Sequence, residues 1–409
     1  MQNRLGKINQ RFVLSGNKVA LFLKIFVAVC LLLPSRPAVA QLLRTGAEQT
    51  ERWLPLLQDK QVGLVVNHTS RIGNTHLLDT LCRLNLCVSR VFAPEHGFRG
   101  EEEAGAEIKD DIDVRTGVPV ASLYGKNKKP QLRDLEGLDV VVFDIQDVGT
   151  RFYTYISTLY YVLEACAEMG KPVIVLDRPN PNGHLIDGPV LDMRYQSFIG
   201  IAPLPIAHGC TVGELARLFV GEYWIGDPCP EFFLRVIPCQ SYTHHTPVDI
   251  SIPPSPNLPN TRAVLLYPGL CLFEGTSFSM GRGTDFPFQV LGHPDNALDS
   301  FRFVPRSNKA SKTPPQKGME CKGVDFRSLP LDSLRKRDKI DLALFIKTYQ
   351  DFPNKPVFFL NNGFFELLTG NGQLRKQIIA GVPEDSIRMG WQADLEAFKA
   401  IRENYLLYK

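Results

Sequence analysis

The 409-residue chain carries 46 lysines and arginines against 43 aspartates and glutamates, a formal charge of +3 at pH 7. Residues 1–40 hold six of the basic residues and none of the acidic ones, which leaves 40 against 43, or −3, for the remainder. A nearly neutral chain lacks the basic surface that nucleic-acid binding requires, so we expect no nucleic-acid partner. The roughly 369 residues after this segment are enough for two domains.

Residues 1–40 have the pattern of a secretory signal peptide. A basic segment from Arg4 to Lys18 precedes an apolar run from Val19 to Leu33, and Ala38-Val39-Ala40 fits a cleavage site. The alternative is a membrane anchor, but the run is shorter than the roughly 20 residues that a spanning helix needs. We predict cleavage after Ala40, export to the periplasm or out of the cell, and no stable membrane insertion afterwards.

Beyond the leader, β-rich runs alternate with helical patterns. Strands are predicted at Gly63 to Val66, Val88 to Phe92, Val140 to Phe143 and Val173 to Leu176, and helices near Leu77 to Leu84, Tyr153 to Met169 and Ser386 to Tyr408. The apolar stripe of the last helix is more typical of a core than of a binding surface. The alternation implies βαβ units and an α/β fold with a parallel sheet.

Each predicted strand ends in a cluster of polar residues. The clusters are Asn67-His68-Thr69-Ser70, Pro94-Glu95-His96-Gly97, Asp144-Ile145-Gln146-Asp147 and Asp177 to Gly183. In an open parallel sheet the carboxyl ends of the strands share one edge, where α/β proteins bind their ligands. Four such clusters in succession predict a functional site at this edge.

A proline-rich connector from Ile252 to Pro259 predicts a domain boundary, which divides the chain into residues 41–260 and 261–409. Eight cysteines remain after the leader, an even number that permits disulfides in an oxidising compartment without fixing their pairing. Cys82 with Cys87 and Cys229 with Cys239 are near in the chain and could bridge. Cysteines in apolar segments, such as Cys166, are expected to be buried thiols.

Glu95 is the first candidate for catalysis. A carboxyl group at the end of an apolar strand can be desolvated, which suits a general acid. The alternative is a structural role, as a helix cap or in an ion pair with Arg99. The adjacent acidic run Glu101-Glu102-Glu103 is more typical of a solvated loop.

Four further candidates follow the third and fourth strands. Asp144 and Asp147 could orient a water, bind sugar hydroxyls or supply a second carboxylate, and Arg151 could pair with either. The alternative for both aspartates is anchoring their loop to backbone amides. Asp177 and Asn180 fit hydrogen bonding to a sugar, although they belong to an equally good turn sequence.

Glu274 lies in a glycine-bounded loop of the second half and could bring a second carboxylate to a cleft. An ion pair with Arg282 is the alternative. His68, His96 and His208 lack the spacing of a known metal motif, and we predict neither a metal nor an organic cofactor. The chain also lacks a phosphate-binding loop and a Gly-x-Ser-x-Gly elbow, which disfavours nucleotide binding and serine hydrolase chemistry.

These motifs, taken in order, resemble the bacterial exo-β-N-acetylmuramidase family, long catalogued as a domain of unknown function. Cys210 departs from the pattern, since a larger apolar residue is expected after His208-Gly209. The resemblance runs through Pro94 to Gly100, Ser122 to Gly125, Phe143 to Tyr153, Leu176 to Pro181, His208-Gly209, Phe273 to Thr276, Gly281 to Thr284 and Leu368 to Gly370.

The resemblance implies a Rossmann-like N-terminal domain, a smaller C-terminal α/β domain and an active-site cleft between them. It also implies release of terminal β-linked N-acetylmuramic acid from peptidoglycan fragments, with Glu95 as the catalytic glutamate. We choose Glu274 over Asp144 and Asp147 as its partner. The substrate's lactyl carboxylate requires a cation, for which Arg99, Arg151 and Arg282 are candidates, and His96 is a further substrate-binding candidate.

Two other functions remain possible from the residues. A non-catalytic muropeptide- or sugar-binding protein on the same frame would bind without turnover. An amidase or esterase acting on wall material would require a metal or a reactive serine. The density of carboxylates at the predicted strand ends favours the glycoside hydrolase over both.

Overall fold

The computed structural model describes residues 42–95, 97–99, 111–125, 127–298 and 300–408. The predicted leader, its cleavage site and His96 lie outside these ranges. Among the described residues, no helix combines the length and apolar character needed to cross a membrane.

A seven-stranded sheet forms the centre of the N-terminal part, with the strand order β11-β8-β7-β1-β4-β6-β5. All neighbouring strands pair in parallel except β5, which runs antiparallel to β6 at one edge. The strands of this sheet are β1 (Val62–Val66), β4 (Val88–Ala93), β5 (Asp111–Ile112), β6 (Pro119–Ser122), β7 (Val140–Asp144), β8 (Val173–Leu176) and β11 (Leu234–Ile237). The predicted parallel α/β sheet is therefore confirmed.

The central strands are continuous apolar runs because both faces of the sheet are covered. Every residue of β1 and β7 is buried. Successive side chains of a strand point to opposite faces, so Leu64 packs into one apolar cluster and Val65 into another. The second of these clusters extends from Val65 as far as Phe398, so it joins the sheet to the C-terminal part.

The C-terminal part combines helices with a three-stranded antiparallel sheet, in the order β12-β14-β13. Its strands are β12 (Val290–His293), β13 (Phe301–Phe303) and β14 (Cys321–Asp325), and the remaining short strands, all in the N-terminal part, are β2 (Arg71–Ile72), β3 (Thr75–His76), β9 (Ile186–Asp187) and β10 (Ala207–His208). The fold is thus Rossmann-like in its first part, with a smaller α/β second part, as predicted.

Eleven α-helices surround these sheets in the part of the chain that the structure describes. They are α1 (Thr50–Trp53), α2 (Leu77–Arg83), α3 (Leu132–Leu135), α4 (Tyr155–Glu168), α5 (Val212–Gly221), α6 (Thr261–Leu270), α7 (Leu331–Arg335), α8 (Leu342–Asp351), α9 (Phe364–Thr369), α10 (Leu374–Ile379) and α11 (Glu384–Glu403). The apolar stripe of α11 is buried at Trp391, Leu395 and Phe398, which confirms its predicted core role.

The eight cysteines of the described residues are free thiols, so neither suggested bridge forms. Cys229 and Cys239 have different neighbours: the Sγ atom of Cys229 donates to the backbone oxygen of Glu168, and that of Cys239 donates to the backbone oxygen of Asp177. The predicted buried thiol at Cys166 is confirmed.

The path of the chain through the sheet sets the position of the site. From β1 the chain moves to β4 and β6 on one side, and it then returns to β7 on the other side of β1. Such a reversal opens a crevice at the carboxyl ends of the strands, where open α/β sheets bind ligands.

Candidate active site

A cavity of about 150 Å³ lies at the carboxyl edge of the sheet, where the N- and C-terminal parts meet. It brings Glu95, which follows β4, together with Glu274, which lies in the 3-10 helix Cys271–Gly275. The cavity is lined by Glu95, Phe152, Tyr153, Thr154, Tyr155, Ile199, Ser255, Asn257, Leu258, Tyr267, Glu274, Arg282 and Phe288.

Hydroxyl groups surround Glu95. The chain turns directly after β4, where the Gly97 amide donates to the Pro94 carbonyl at 3.0 Å. Thr154 Oγ1 then donates to Glu95 Oε2 at 3.0 Å. Burial raises the pKa of Tyr124, and the charge of Glu95 and a hydrogen bond to its side chain raise it further. Two neutral donors, Thr154 and Tyr124, therefore orient this carboxyl group.

Glu274 is held by a cation instead. Arg282 Nε donates to Glu274 Oε1 at 2.5 Å, and the guanidinium lies over the Phe288 ring, 5.0 Å from its centroid. Burial by itself would lower the pKa of Arg282, but the charge and hydrogen bond of Glu274, together with Tyr267 and Cys271, outweigh burial and the pKa is raised. The ion pair considered from the sequence does form, and both of its side chains still line the cavity.

An aromatic wall, made of Tyr153, Tyr155, Tyr267 and Phe288, completes the cavity. The rings meet edge to face, with centroids 4.9 Å apart for Tyr153 and Tyr155 and 4.9 Å apart for Tyr267 and Phe288. Aromatic rings offer large contact areas at low conformational cost, and ligand pockets use them widely.

The aromatic wall was missed from the sequence. The helical spacing of Tyr153 predicted only a helix, and Tyr267 belongs to an apolar helical run. Ser255 and Asn257, which also line the cavity, belong to the segment that we interpreted only as a connector. The one available signal was that Ser255 and Asn257 each directly follow a proline.

Asp144 and Asp147 lie in the protein interior rather than at the cavity surface. Asp144 is fully buried and makes a bidentate ion pair with Arg178, at 2.5 and 3.0 Å. Asp147 Oδ2 accepts from the Gly149 amide at 2.7 Å and lies 3.7 Å from His208 Nε2. The contact of Asp147 with a backbone amide corresponds to the loop-anchoring alternative, whereas Asp144 is held by a side-chain ion pair instead.

Arg151 is fully buried and joins distant parts of the chain. It donates to the backbone oxygens of Pro189 at 2.9 Å, Leu204 at 2.7 Å and Leu368 at 2.9 Å. Burial lowers its pKa to about 9. Since carbonyl oxygens hold both of its terminal nitrogens and it does not line the cavity, Arg151 is not placed to bind the substrate there.

Asp177 and Asn180 are also buried. Asp177 Oδ2 accepts from Thr211 at 2.7 Å and from Tyr408 at 2.5 Å, and burial raises the pKa of Asp177 to about 6. The Asn180 side chain donates to the Cys210 carbonyl at 2.9 Å and packs on Gly149, where an added Cβ would lie 2.3 Å from Asn180 Oδ1. Both residues therefore brace the loops beneath the cavity.

Arg99 lines a different cavity, where it pairs with Asp113 at 2.8 Å and Asp79 at 3.2 Å. His96, the remaining predicted site residue, is outside the described residues. Of the three histidines weighed as metal ligands, His68 bonds to the Pro253 carbonyl and His208 lies beside Asp147. Across the described ranges, no three histidine, cysteine or carboxylate side chains are grouped as a metal site.

Comparison with known proteins relates nearly the whole chain to one family. The models described as "Exo-beta-N-acetylmuramidase NamZ", N-terminal and C-terminal, match residues 62–262 and 265–408. The peptidoglycan beta-N-acetylmuramidase NamZ of Bacillus subtilis (strain 168) is 38% identical over 372 residues, covering 86% of this chain and 88% of that protein.

Two solved structures from Bacteroides fragilis NCTC 9343, both DUF1343 family proteins, share the fold. They align with TM-scores of 0.82 and 0.78, at 45% and 29% sequence identity. Each alignment covers 90% of this chain and 99% of the other.

Paired carboxylates in a crevice at the end of a parallel sheet are an arrangement that suits a glycoside hydrolase. The class of protein is therefore an α/β glycoside hydrolase. Within that class, the chain belongs to the exo-β-N-acetylmuramidase NamZ family, because the two family models together account for nearly all of residues 62–408.

Proposed function

We propose that this protein is an exported glycoside hydrolase that removes β-linked N-acetylmuramic acid from the ends of peptidoglycan fragments, with Glu95 and Glu274 as its catalytic pair. The observation that carries the assignment of residues is their convergence on one cavity from separate parts of the chain. Family membership and the Bacillus subtilis relative support the substrate class.

The two carboxyl groups have different partners, which suggests different roles. Glu95 accepts a hydrogen bond from the Thr154 hydroxyl and transfers its proton to the leaving oxygen as the glycosidic bond breaks. Glu274 is held as a carboxylate by Arg282, and its negative charge stabilises the oxocarbenium-like centre, alone or together with the substrate's acetamido group. Water then supplies the hydroxyl group of the released sugar, and its proton restores Glu95.

Two features of the cavity support an exo-acting enzyme on a muramic acid end. The C-terminal part closes one side of the cavity through Tyr267, Phe288 and Glu274, which limits the space to a chain end. Arg282 is the cation, among the three arginine candidates, that faces this cavity. Its Nη1 can meet the lactyl carboxylate while Nε and Nη2 remain on Glu274.

A periplasmic location after removal of residues 1–40 is part of the proposal and rests on the sequence of the leader. The competing binding-protein function is not favoured, because the family and its curated relative are named for an enzymatic activity.

The test is turnover of a chromogenic β-N-acetylmuramide by the chain without its leader, beside the N-acetylglucosaminide. We expect release from the muramide alone, and a fall of about 10²- to 10⁴-fold in kcat for Glu95→Gln with an unchanged melting temperature. Glu136→Gln is the matched control, since Glu136 is an exposed glutamate that precedes β7, at the amino ends of the strands and away from the cavity. No release from the muramide or from a muramic-acid-ended disaccharide contradicts the proposal.

A further inference from the structure

A second cavity, of about 250 Å³, lies beside the first at the ends of β1 and β4. We refer to it as the basic cavity, because arginines dominate its charged lining. The charged side chains that line it include Arg71, Arg83, Arg99, Arg115 and Asp79.

The charges of the basic cavity do not balance. Arg99 is compensated by Asp79 and Asp113. Arg71, Arg83 and Arg115, in contrast, form no ion pair with any carboxylate in the described part of the chain. Three like charges around one space repel each other, and an anionic ligand relieves that repulsion.

Histidine does not add to this charge. His76, which also lines the basic cavity, is buried, and burial lowers its pKa to about 4. Its ring bonds to the Asn67 carbonyl at 2.9 Å and to the Leu78 amide at 3.2 Å. The cation that a ligand meets here is therefore guanidinium, whose planar donors match carboxylate oxygens in pairs.

The basic cavity lies close to the first cavity along the chain. Arg99 follows Glu95 by four residues, so their Cα atoms are at most about 14 Å apart. One segment borders both spaces: the Pro253 carbonyl bonds to His68 at 2.6 Å, on the basic side. Ser255 and Asn257, two and four residues later, line the first cavity.

We infer that the basic cavity binds a carboxylate carried by the substrate beyond the bond that is cut. This inference rests on the proposed function, in which the terminal muramic acid fills the first cavity and the rest of the chain extends away from it. Peptidoglycan offers two sources of such a carboxylate: the lactyl group of the next muramic acid, and the stem peptide attached to it. The contact would let the enzyme favour longer anionic chains over a simple disaccharide.

The test is the double variant Arg83→Gln/Arg115→Gln, in which both altered side chains are exposed. Arg71 is retained because it supports the local fold by donating to the His68 carbonyl at 3.0 Å. The matched control is Arg133→Gln/Arg235→Gln, which removes two exposed arginines that do not line either cavity. kcat/KM is measured on a muramic-acid-ended disaccharide, on a peptide-free tetrasaccharide and on the tetrasaccharide with stem peptides.

We expect the double variant to lose about tenfold or more in kcat/KM on a carboxylate-bearing tetrasaccharide, mainly through KM. Its activity on the disaccharide and the control variant's activity on every substrate should be unchanged. Loss on the peptide-free tetrasaccharide identifies the lactyl carboxylate, whereas loss confined to the peptide-bearing chain identifies the stem peptide.

Equal losses on all substrates, or no loss on either tetrasaccharide, overturn the inference. These results differ from a failure of the proposed function, which would appear as absence of muramic acid release by the unaltered enzyme from all three substrates.

Discussion

Three strands of the central sheet are followed by or end in an acidic residue, but one of these residues lines a cavity and the other two are buried. Glu95, after β4, faces a cavity and is oriented by hydroxyl groups. Asp144, at the end of β7, and Asp177, after β8, are fully buried and bonded to protein partners. The difference lies in the surroundings: Tyr408 donates to Asp177 and Arg178 pairs with Asp144, whereas Glu95 lines the cavity. An acid at a strand end is therefore accessible to a ligand only where it lines a cavity instead of bonding to buried protein groups.

Asp144→Asn gives the largest expected effect on the covered side of this comparison. The substitution leaves the buried Arg178 guanidinium without its counterion, so the free energy of unfolding should fall by about 3–5 kcal/mol. Urea denaturation measures this loss. The control is Asp192→Asn, which breaks an ion pair with the exposed Arg194 and should leave the free energy of unfolding nearly unchanged. A stable Asp144→Asn protein without activity would instead give Asp144 a catalytic role.

The second prediction concerns His76, a buried residue that lines the basic cavity. Its pKa is lowered from 6.5 to about 4 by burial, so the unfolded chain takes up a proton as the pH falls below 6.5 while the folded protein does not. The contribution of His76 to the free energy of unfolding is fully present above pH 6.5. It is lost as the pH falls towards 4, by roughly 3 kcal/mol in all.

The measurement compares unfolding free energies at pH 7 and pH 4.5 for the unaltered protein and for His76→Gln. The unaltered protein should lose more stability over this interval than the variant. His245→Gln, which removes an exposed histidine, serves as the control and should keep the slope of the unaltered protein. Identical slopes for all three proteins would contradict a buried neutral His76.

Thr154→Val gives the smallest expected effect and tests the open side of the comparison. Loss of one hydrogen bond to Glu95 costs about 1 kcal/mol, so kcat should fall several-fold, up to about tenfold, at unchanged stability. Thr158→Val, one turn further along α4, is the control, since its hydroxyl contacts only the Thr154 carbonyl among its described hydrogen bonds. Equal kinetics for the two variants would show that Thr154 does not orient Glu95.

The sheet was predictable where burial leaves a strong signal. The runs at β1, β4, β7 and β8 are apolar because they are covered on both faces, and their predicted bounds agree with the structure to within one residue. β11 was not predicted, because this strand alternates exposed and partly buried residues and contains Arg235. The small antiparallel strands were missed for a similar reason, since two to five residues give little periodicity.

The sequence predicted which types of residue form the site, but not which of the candidates are buried and which line the cavity. Sequence identified Glu95, Glu274 and Arg282, which the structure brings to one cavity. It could not separate them from Asp144 and Asp177, because only the tertiary fold determines which strand ends are covered. The aromatic wall was hidden by an ambiguity of helical spacing, since a tyrosine on an apolar stripe can face a core or a ligand.

The buried Arg151 has a consequence for how this family can diversify. Arg151 belongs to the segment matched by the N-terminal family model, yet it binds the carbonyl of Leu368 in the segment matched by the C-terminal one. Its guanidinium also lies so close to Gly370 that an added Cβ there would be 2.6 Å from Nη2. Recombination that exchanged one segment between distant members would disturb one of the three carbonyl acceptors of Arg151 and its close packing on Gly370. The two segments are therefore expected to be inherited together, as a single evolutionary unit.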